Sequence, residues 1–124
     1  MDKLFYKNLK LFLKDLIVVF PEDDEAIQIL STSINLSIID DEDNKIIKKF
    51  YKALSTLEEH INTRNNIIFS MDPIEYWQVS SYEYRLFSKI NQNWETFSSH
   101  NKNILWEYIQ LLYTLSKNLN ENNN

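Results

Sequence analysis

Residues 44–63, NKIIKKFYKALSTLEEHINT, show the clearest helical pattern in the chain. Apolar side chains recur there in steps of three and four, at Ile47, Phe50, Leu54, Leu57 and Ile61. Because 3.6 residues complete a helical turn, this spacing places all five on one face of an α-helix. We therefore predict one continuous helix over residues 44–63. The acidic residues 40–43 favour its first turn, and Asn65 and Asn66 replace the usual glycine cap at its end.

The same periodicity extends to both sides of this helix. It predicts helices over residues 2–20 and 22–39 before it, and over 72–79, 80–97 and 102–119 after it. The segment 34–39 also fits a strand, but a single strand without a partner is unstable, which favours the helix. Connections are short, as in helical bundles. We predict an all-α fold: one domain, residues 1–119, forming an antiparallel bundle of five or six helices, followed by a disordered asparagine-rich tail, residues 120–124.

The amino-acid composition excludes several classes of function. The 124 residues include no glycine and no cysteine. Phosphate-binding loops, dinucleotide fingerprints, nucleophile elbows and EF-hand loops depend on glycine, because they need positive φ angles or close backbone approach. The absence of cysteine excludes disulfides, a thiolate nucleophile and cysteine-ligated metals. We predict no cofactor.

Charge is distributed unevenly along the chain, which carries a net −5. Residues 22–25 and 40–43 are all acidic. Runs of carboxylates bind Ca²⁺ or Mg²⁺ only in suitable loops, and neither run shows the spacing of a calcium loop. Helix capping explains both runs, so we assign no metal site.

The sequence contains no segment typical of a membrane span or a targeting signal. The longest charge-free stretch, residues 26–39, is interrupted by serine, threonine, asparagine and glutamine. It is shorter than the ~18 apolar residues that a membrane span needs. We expect a soluble, intracellular, cytoplasmic protein.

Lysines form two rows with helical spacing and suggest an alternative function. The rows consist of Lys3, Lys7, Lys10 and Lys14, and of Lys45, Lys48, Lys49 and Lys52. Such rows can follow the phosphates of a nucleic acid, as in a transcription accessory protein. The protein is acidic, however, and contains only two arginines, Arg64 and Arg85, whereas readers of nucleic acid usually carry basic patches with arginine. A solvated helix face is the simpler interpretation, and nucleic acid is the less favoured partner.

Catalytic residues are scarce in this sequence. The two histidines, His60 and His100, follow an acidic and a hydroxyl residue in the sequence. Consecutive side chains on a helix point in different directions, so this adjacency does not form a catalytic pair. His60 near a helix C-terminus instead complements the helix dipole. Glu83 and Glu107 form a carboxylate pair only if the fold brings them together. We predict that the protein is not an enzyme.

Aromatic residues supply the candidate partner surface. Trp94 and Trp106 lie on or beside apolar rows and are predicted to be core residues. The region 76–85 has the poorest helical period and is rich in tyrosine, tryptophan and arginine, the residue types that dominate interface hot spots. The partner-binding candidates are Tyr76, Trp77, Tyr82, Tyr84 and Arg85, although packing of a connecting helix also explains them. We predict a protein–protein interaction module, with a second copy of the chain as one possible partner.

Two stretches resemble known proteins. Residues 12–22, FLKDLIVVFPE, and residues 101–113, NKNILWEYIQLLY, are similar to segments of short helical proteins of nucleocytoplasmic large DNA viruses, the giant viruses of protists. The resemblance implies a setting in host cytoplasm or in the virion. It also implies a role in virion packing or in modulating host or viral machinery, and it supplies no catalytic residue.

Overall fold

A computed structural model describes residues 2–20, 25–39, 44–70 and 82–122 of the chain. About 90% of these residues are helical, and none of them forms a strand. The all-α prediction is confirmed. The predicted helix over residues 72–79 lies outside the described residues.

Six α-helices make up the described part of the fold. They are α1 (Asp2–Val19), α2 (Glu25–Ile39), α3 (Lys45–Ser55), α4 (Glu58–Asn62), α5 (Tyr82–Asn93) and α6 (Ser99–Asn122). Two short 3₁₀ helices, Asn66–Phe69 and Trp94–Thr96, follow α4 and α5.

The longest helix of the described residues, α6, packs against α1, α3 and α4. Phe20 at the end of α1 contacts Phe97, just before α6, while Asp15 bonds to Tyr108 further along α6. The two helices therefore run antiparallel. Helix α2 packs against both α1 and α5.

The buried apolar side chains of the described elements form one cluster. Its fully buried members include Phe5, Leu16, Ile27, Ile61 and Leu112, so both ends of the chain contribute. The rows that predicted the helices supply most of this core, because each helix turns its apolar side away from water.

The helix predicted over residues 44–63 is interrupted, and in that respect the prediction is wrong. It ends at Ser55 and resumes at Glu58. The Leu57 amide bonds to the Leu54 carbonyl, a 3₁₀-type bond, and Leu57 and Ile61 both remain buried across the break. Serine and threonine have modest helix propensity, so Ser55 and Thr56 stabilise a continuous helix only weakly.

The ends of α5 and α6 also differ from the predictions. The helix predicted to reach residue 97 becomes a 3₁₀ helix at Trp94. Helix α6 begins at Ser99, because the Ser98 hydroxyl accepts a hydrogen bond from the Asn101 amide and caps the first turn. It continues to Asn122, so part of the predicted disordered tail is helical.

The left-handed position after α4 is Arg64, with φ 50°, rather than one of the predicted asparagines. Asn65 is extended, and its side chain caps the following 3₁₀ helix by accepting from the Ile67 amide. An asparagine does adopt the left-handed conformation at Asn44, immediately before α3.

Candidate partner-binding surface

Helix α2 exposes large apolar side chains on the face that points away from the core. Ile29, Leu36 and Ile39 are 63%, 60% and 73% exposed, whereas Ile27, Leu30 and Ile34 on the opposite face are buried. The helix therefore carries apolar residues on both sides, unlike a typical surface helix with one polar face. An exposed apolar face of this kind is typical of an interaction site. We call the set Ile29, Leu36 and Ile39 the α2 outer face.

The α2 outer face lies in a segment that is uncharged and is flanked by acidic residues in the sequence. Residues 26–39 contain no charged side chain, and the only charge within α2 is the exposed Glu25 at its first position. Acidic runs, residues 22–25 and 40–43, border the helix in sequence at both ends. The α2 outer face is therefore an uncharged apolar row whose neighbours in the sequence are acidic.

Two polar side-chain atoms of α2 have no hydrogen-bond partner among the described residues. The Ser31 hydroxyl lies on the buried side, where the residue is 3% exposed, and the side-chain oxygen of Asn35 is also buried. A buried polar atom without a protein partner lowers the gain from burial compared with an apolar side chain.

Helix α1 presents a second exposed row, which combines apolar and basic residues. Leu4, Leu11 and Val18 follow one another at intervals of seven residues and are 47%, 41% and 74% exposed. The four α1 lysines are exposed, as the sequence predicted, and with Tyr6 and Leu11 they line a shallow open depression. None of the four forms an ion pair with a described residue. We call Leu4, Leu11 and Val18 with these lysines the α1 outer face.

The second lysine row, on α3, begins close to α1. The Tyr6 hydroxyl lies 3.3 Å from the side-chain oxygen of Asn44, the residue before α3. Lys45, Lys48, Lys49 and Lys52 are exposed, and α3 contains no acidic residue. Most of the exposed positive charge in this acidic chain is therefore carried by two helices that meet at Tyr6.

The structure describes three of the five partner-binding candidates suggested by the sequence. Tyr76 and Trp77 lie outside the described residues. Tyr82 is 42% exposed and Arg85 is exposed, whereas Tyr84 is half-buried against the core. A partner-binding role for these five residues stays a prediction.

Trp94 and Trp106 are core residues, as predicted. They are 2% and 4% exposed, and both contact Phe69, which stacks on Trp94 with a ring-centroid distance of 3.8 Å. The Trp106 indole donates to the Asn66 side-chain oxygen at 3.2 Å. This cluster joins the first 3₁₀ helix to α6.

Two networks of tyrosine and acid join α6 to its neighbours. The Tyr108 hydroxyl donates to Asp15 of α1, and burial together with this carboxylate raises the pKa of Tyr108 to about 12. Glu58 of α4 accepts bonds from Lys117 and from the Tyr113 hydroxyl. The bond with Lys117 lowers the pKa of Glu58, and burial together with Glu58 raises the pKa of Tyr113. In each network the acid lies on another helix than its partners, which belong to α6, so both networks connect elements of the bundle.

Neither histidine is bonded to an acidic side chain in the part of the chain that the structure describes. His60 Nδ1 lies 3.2 Å from the side-chain nitrogen Nδ2 of Asn65. His100 is exposed at the start of α6. Among the described residues, no three histidine or acidic side chains are grouped so that they could hold a metal ion. Glu107 is exposed and bonds to Asn103 of its own helix.

A small apolar cavity lies where α1, α2, α3 and α5 meet. It has a volume of about 30 Å³ and is lined by side chains that include Leu9, Phe12, Ile34 and Phe50. A space of this size exceeds one water but provides no polar partner for it. We interpret the cavity as a packing defect of the core.

The α2 and α1 outer faces were missed by sequence reasoning. Residues 26–39 contain more apolar side chains than one helix face can hold, and positions 4, 11 and 18 repeat at seven. Both the high apolar content of residues 26–39 and the seven-residue repeat in α1 can be read from the sequence alone.

Comparisons of the chain with protein-family models, with curated proteins and with solved structures find no match. None of the helices in the described ranges combines the length and apolar composition that a bilayer crossing requires.

Proposed function

We propose that this protein is a non-catalytic helical module that binds a partner protein through the α2 outer face. The observation that carries the proposal is the exposure of Ile29, Leu36 and Ile39 on a helix whose opposite face already fills the core. Covering such side chains is favourable, since about 25 cal/mol is gained per Å² of apolar surface removed from water.

The charge around this face defines the chemistry of the partner. An uncharged apolar row bordered by acidic runs fits a helix that presents an apolar row of its own together with lysine or arginine. An acidic partner is disfavoured because it would bring like charges together. Helix-in-groove and helix-on-helix recognition use anchors at this spacing.

The resemblance to giant-virus proteins supports a setting for this module. In that setting it acts as a virion component or as a modulator of host or viral machinery, in host cytoplasm or in the virion. The proposal for α2 does not depend on this origin.

Binding of a defined peptide tests the proposal. The probe is a labelled amphipathic helical peptide with leucine at seven-residue spacing and flanking lysines, and binding is followed by fluorescence anisotropy. The double variant I29Q/L36Q removes two apolar anchors without adding charge, so we expect affinity to fall about tenfold or more. A matched control, Thr114→Gln at an exposed position of α6, should bind like the unaltered protein.

Two further results decide the outcome. The same peptide with glutamate in place of lysine should bind more weakly, because the acidic runs repel it. Equal affinity of the I29Q/L36Q variant and the unaltered protein for the lysine peptide would contradict the proposal.

Nucleic-acid binding is the second candidate function, favoured by the exposure of both lysine rows. It is tested with a labelled single-stranded oligonucleotide. Binding through these rows releases cations from the phosphates, and this release is less favourable at high salt, so affinity should fall steeply as salt is added. The variant K7E/K10E should bind more weakly than the unaltered protein. A response to salt that is flat would remove this candidate.

A further inference from the structure

We infer that the partner of the α2 outer face is a second copy of this chain, which docks through its α1 outer face. This inference rests on the proposed function, because it names the occupant of the same surface. Three observations support it: the spacing of the two apolar rows, their opposite charge, and the poor fit of each face to itself.

The two apolar rows have matching repeats. Leu4, Leu11 and Val18 are separated by seven residues, and so are Ile29 and Leu36. Seven residues advance about 10.5 Å along a helix. A seven-residue repeat keeps side chains on one seam between two packed helices, so each row can follow the other over two turns or more.

The charges beside these rows are opposite. The α1 row runs beside Lys3, Lys7, Lys10 and Lys14, which are exposed and form no ion pair with a described residue. Residues 22–43, which contain α2, include eight carboxylates and no basic residue. Contact between the α1 face of one copy and the α2 face of the next therefore brings lysines toward carboxylates.

Neither face pairs well with itself. Acidic runs flank α2 on both sides in the sequence and no basic residue lies between them, so an α2–α2 contact would oppose negative charge with negative charge. An α1–α1 contact would bring two lysine rows together. Like charges at an interface disfavour association, so charge selects the mixed contact.

A contact between two different faces is heterologous. Each copy that binds through one face still offers the other, so association extends to rings or to open chains rather than stopping at a symmetric dimer. This prediction separates the inference from ordinary dimerisation.

Mixing two single-face variants tests the inference most sharply. The α1-face variant is L11Q/V18Q and the α2-face variant is I29Q/L36Q; all four positions are exposed, so both variants should fold, which circular dichroism checks. In sedimentation velocity the unaltered protein should gain mass with concentration beyond a dimer, and T114Q should behave identically. Each face variant alone should remain monomeric.

An equimolar mixture of the two face variants should form a dimer and nothing larger, because only one competent interface can assemble. Added salt and K7E/K10E should both reduce association of the unaltered protein. Self-association of L11Q/V18Q alone would overturn the inference, since it would show an α2–α2 contact.

A monomeric unaltered protein at every concentration would also overturn it. If the lysine peptide still bound the α2 outer face in that case, only this inference would fail, and the proposed function would stand with a foreign partner. If the lysine peptide does not bind and the protein does not self-associate, both the proposed function and this inference are wrong.

Discussion

At the scale of single residues, Arg64 illustrates how side-chain bonds stabilise an unfavourable backbone conformation. Its φ of 50° is disfavoured for any residue with a β-carbon. The guanidinium donates to Gln110 and Asn103 of α6, and the Gln110 amide donates to the Ile61 carbonyl. Arg64 thus connects the end of α4 to α6. The sequence indicated a left-handed cap here but pointed to asparagine, because bonds to a distant helix leave no local signal.

A matched pair of substitutions separates the backbone strain at Arg64 from its side-chain bonds. Arg64→Ala and Arg64→Gly both lose the bonds to α6, but only glycine relieves the strain. We expect the glycine variant to be more stable than the alanine variant by about 1 kcal/mol in urea unfolding. Greater stability of the alanine variant would mean that the left-handed conformation is absent.

The partial burial of Tyr108 and its bond to Asp15 make the stability of the fold depend on pH in the alkaline range. The pKa of Tyr108 is raised from 10.0 to about 12, so the unfolded chain releases this proton first as pH rises. A group with a raised pKa stabilises the fold below its unfolded pKa, and this contribution is lost between about pH 10 and 12. Asp15→Asn should lower the pKa of Tyr108, as measured by ultraviolet titration of tyrosinate. An unchanged titration curve would contradict the contact.

The Glu58–Lys117 pair should contribute at the acid end. The pKa of Glu58 is lowered from 4.5, so its contribution is present above that value and is lost as pH falls through the lower pKa of the folded state. The free energy of unfolding of the Glu58→Gln variant should therefore depend less on pH in this range. The control is Glu59→Gln, at an exposed position of the same helix. If both variants lose the same part of the pH dependence of the free energy of unfolding, the Glu58–Lys117 pair is not its source.

At the scale of elements, apolar periodicity predicted which segments are helical but not where each one is interrupted. Leu57 and Ile61 stay buried on both sides of the break at residues 56–57, so the repeat of three and four residues continues across it and gives no sign of the interruption. The start of α6 was predictable in principle, because Ser98 is a strong capping residue.

The two faces of α2 should differ sharply in their response to substitution. Ile34 is 2% exposed, so Ile34→Ala should cost about 2–5 kcal/mol of stability through lost packing. The outer-face variant I29Q/L36Q should change stability of the monomer by no more than about 0.5 kcal/mol per site. Urea unfolding at low protein concentration checks both, and a large loss in I29Q/L36Q would mean that the outer face is buried within the molecule.

At the scale of the whole molecule, positive and negative charge are segregated along the chain. Most exposed lysines lie on α1 and α3, acidic runs border α2 in the sequence, and most of the large apolar side chains exposed in the described residues lie on α1 and α2. The sequence predicted the all-α class and the exposure of both lysine rows. It did not reveal the two outer faces, because one apolar row per helix is enough to form the core and the remaining apolar residues give no separate helical signal.

Nuclear magnetic resonance mapping of the lysine peptide on the protein tests the central claim most directly. We expect the backbone amide signals of Ile29, Leu36, Ile39 and their neighbours on α2 to shift on titration, while those of exposed Thr114 on α6 stay in place. Shifts confined to Tyr82 and Arg85, or no shift on α2 at saturating peptide, would contradict the claim that α2 is the docking surface.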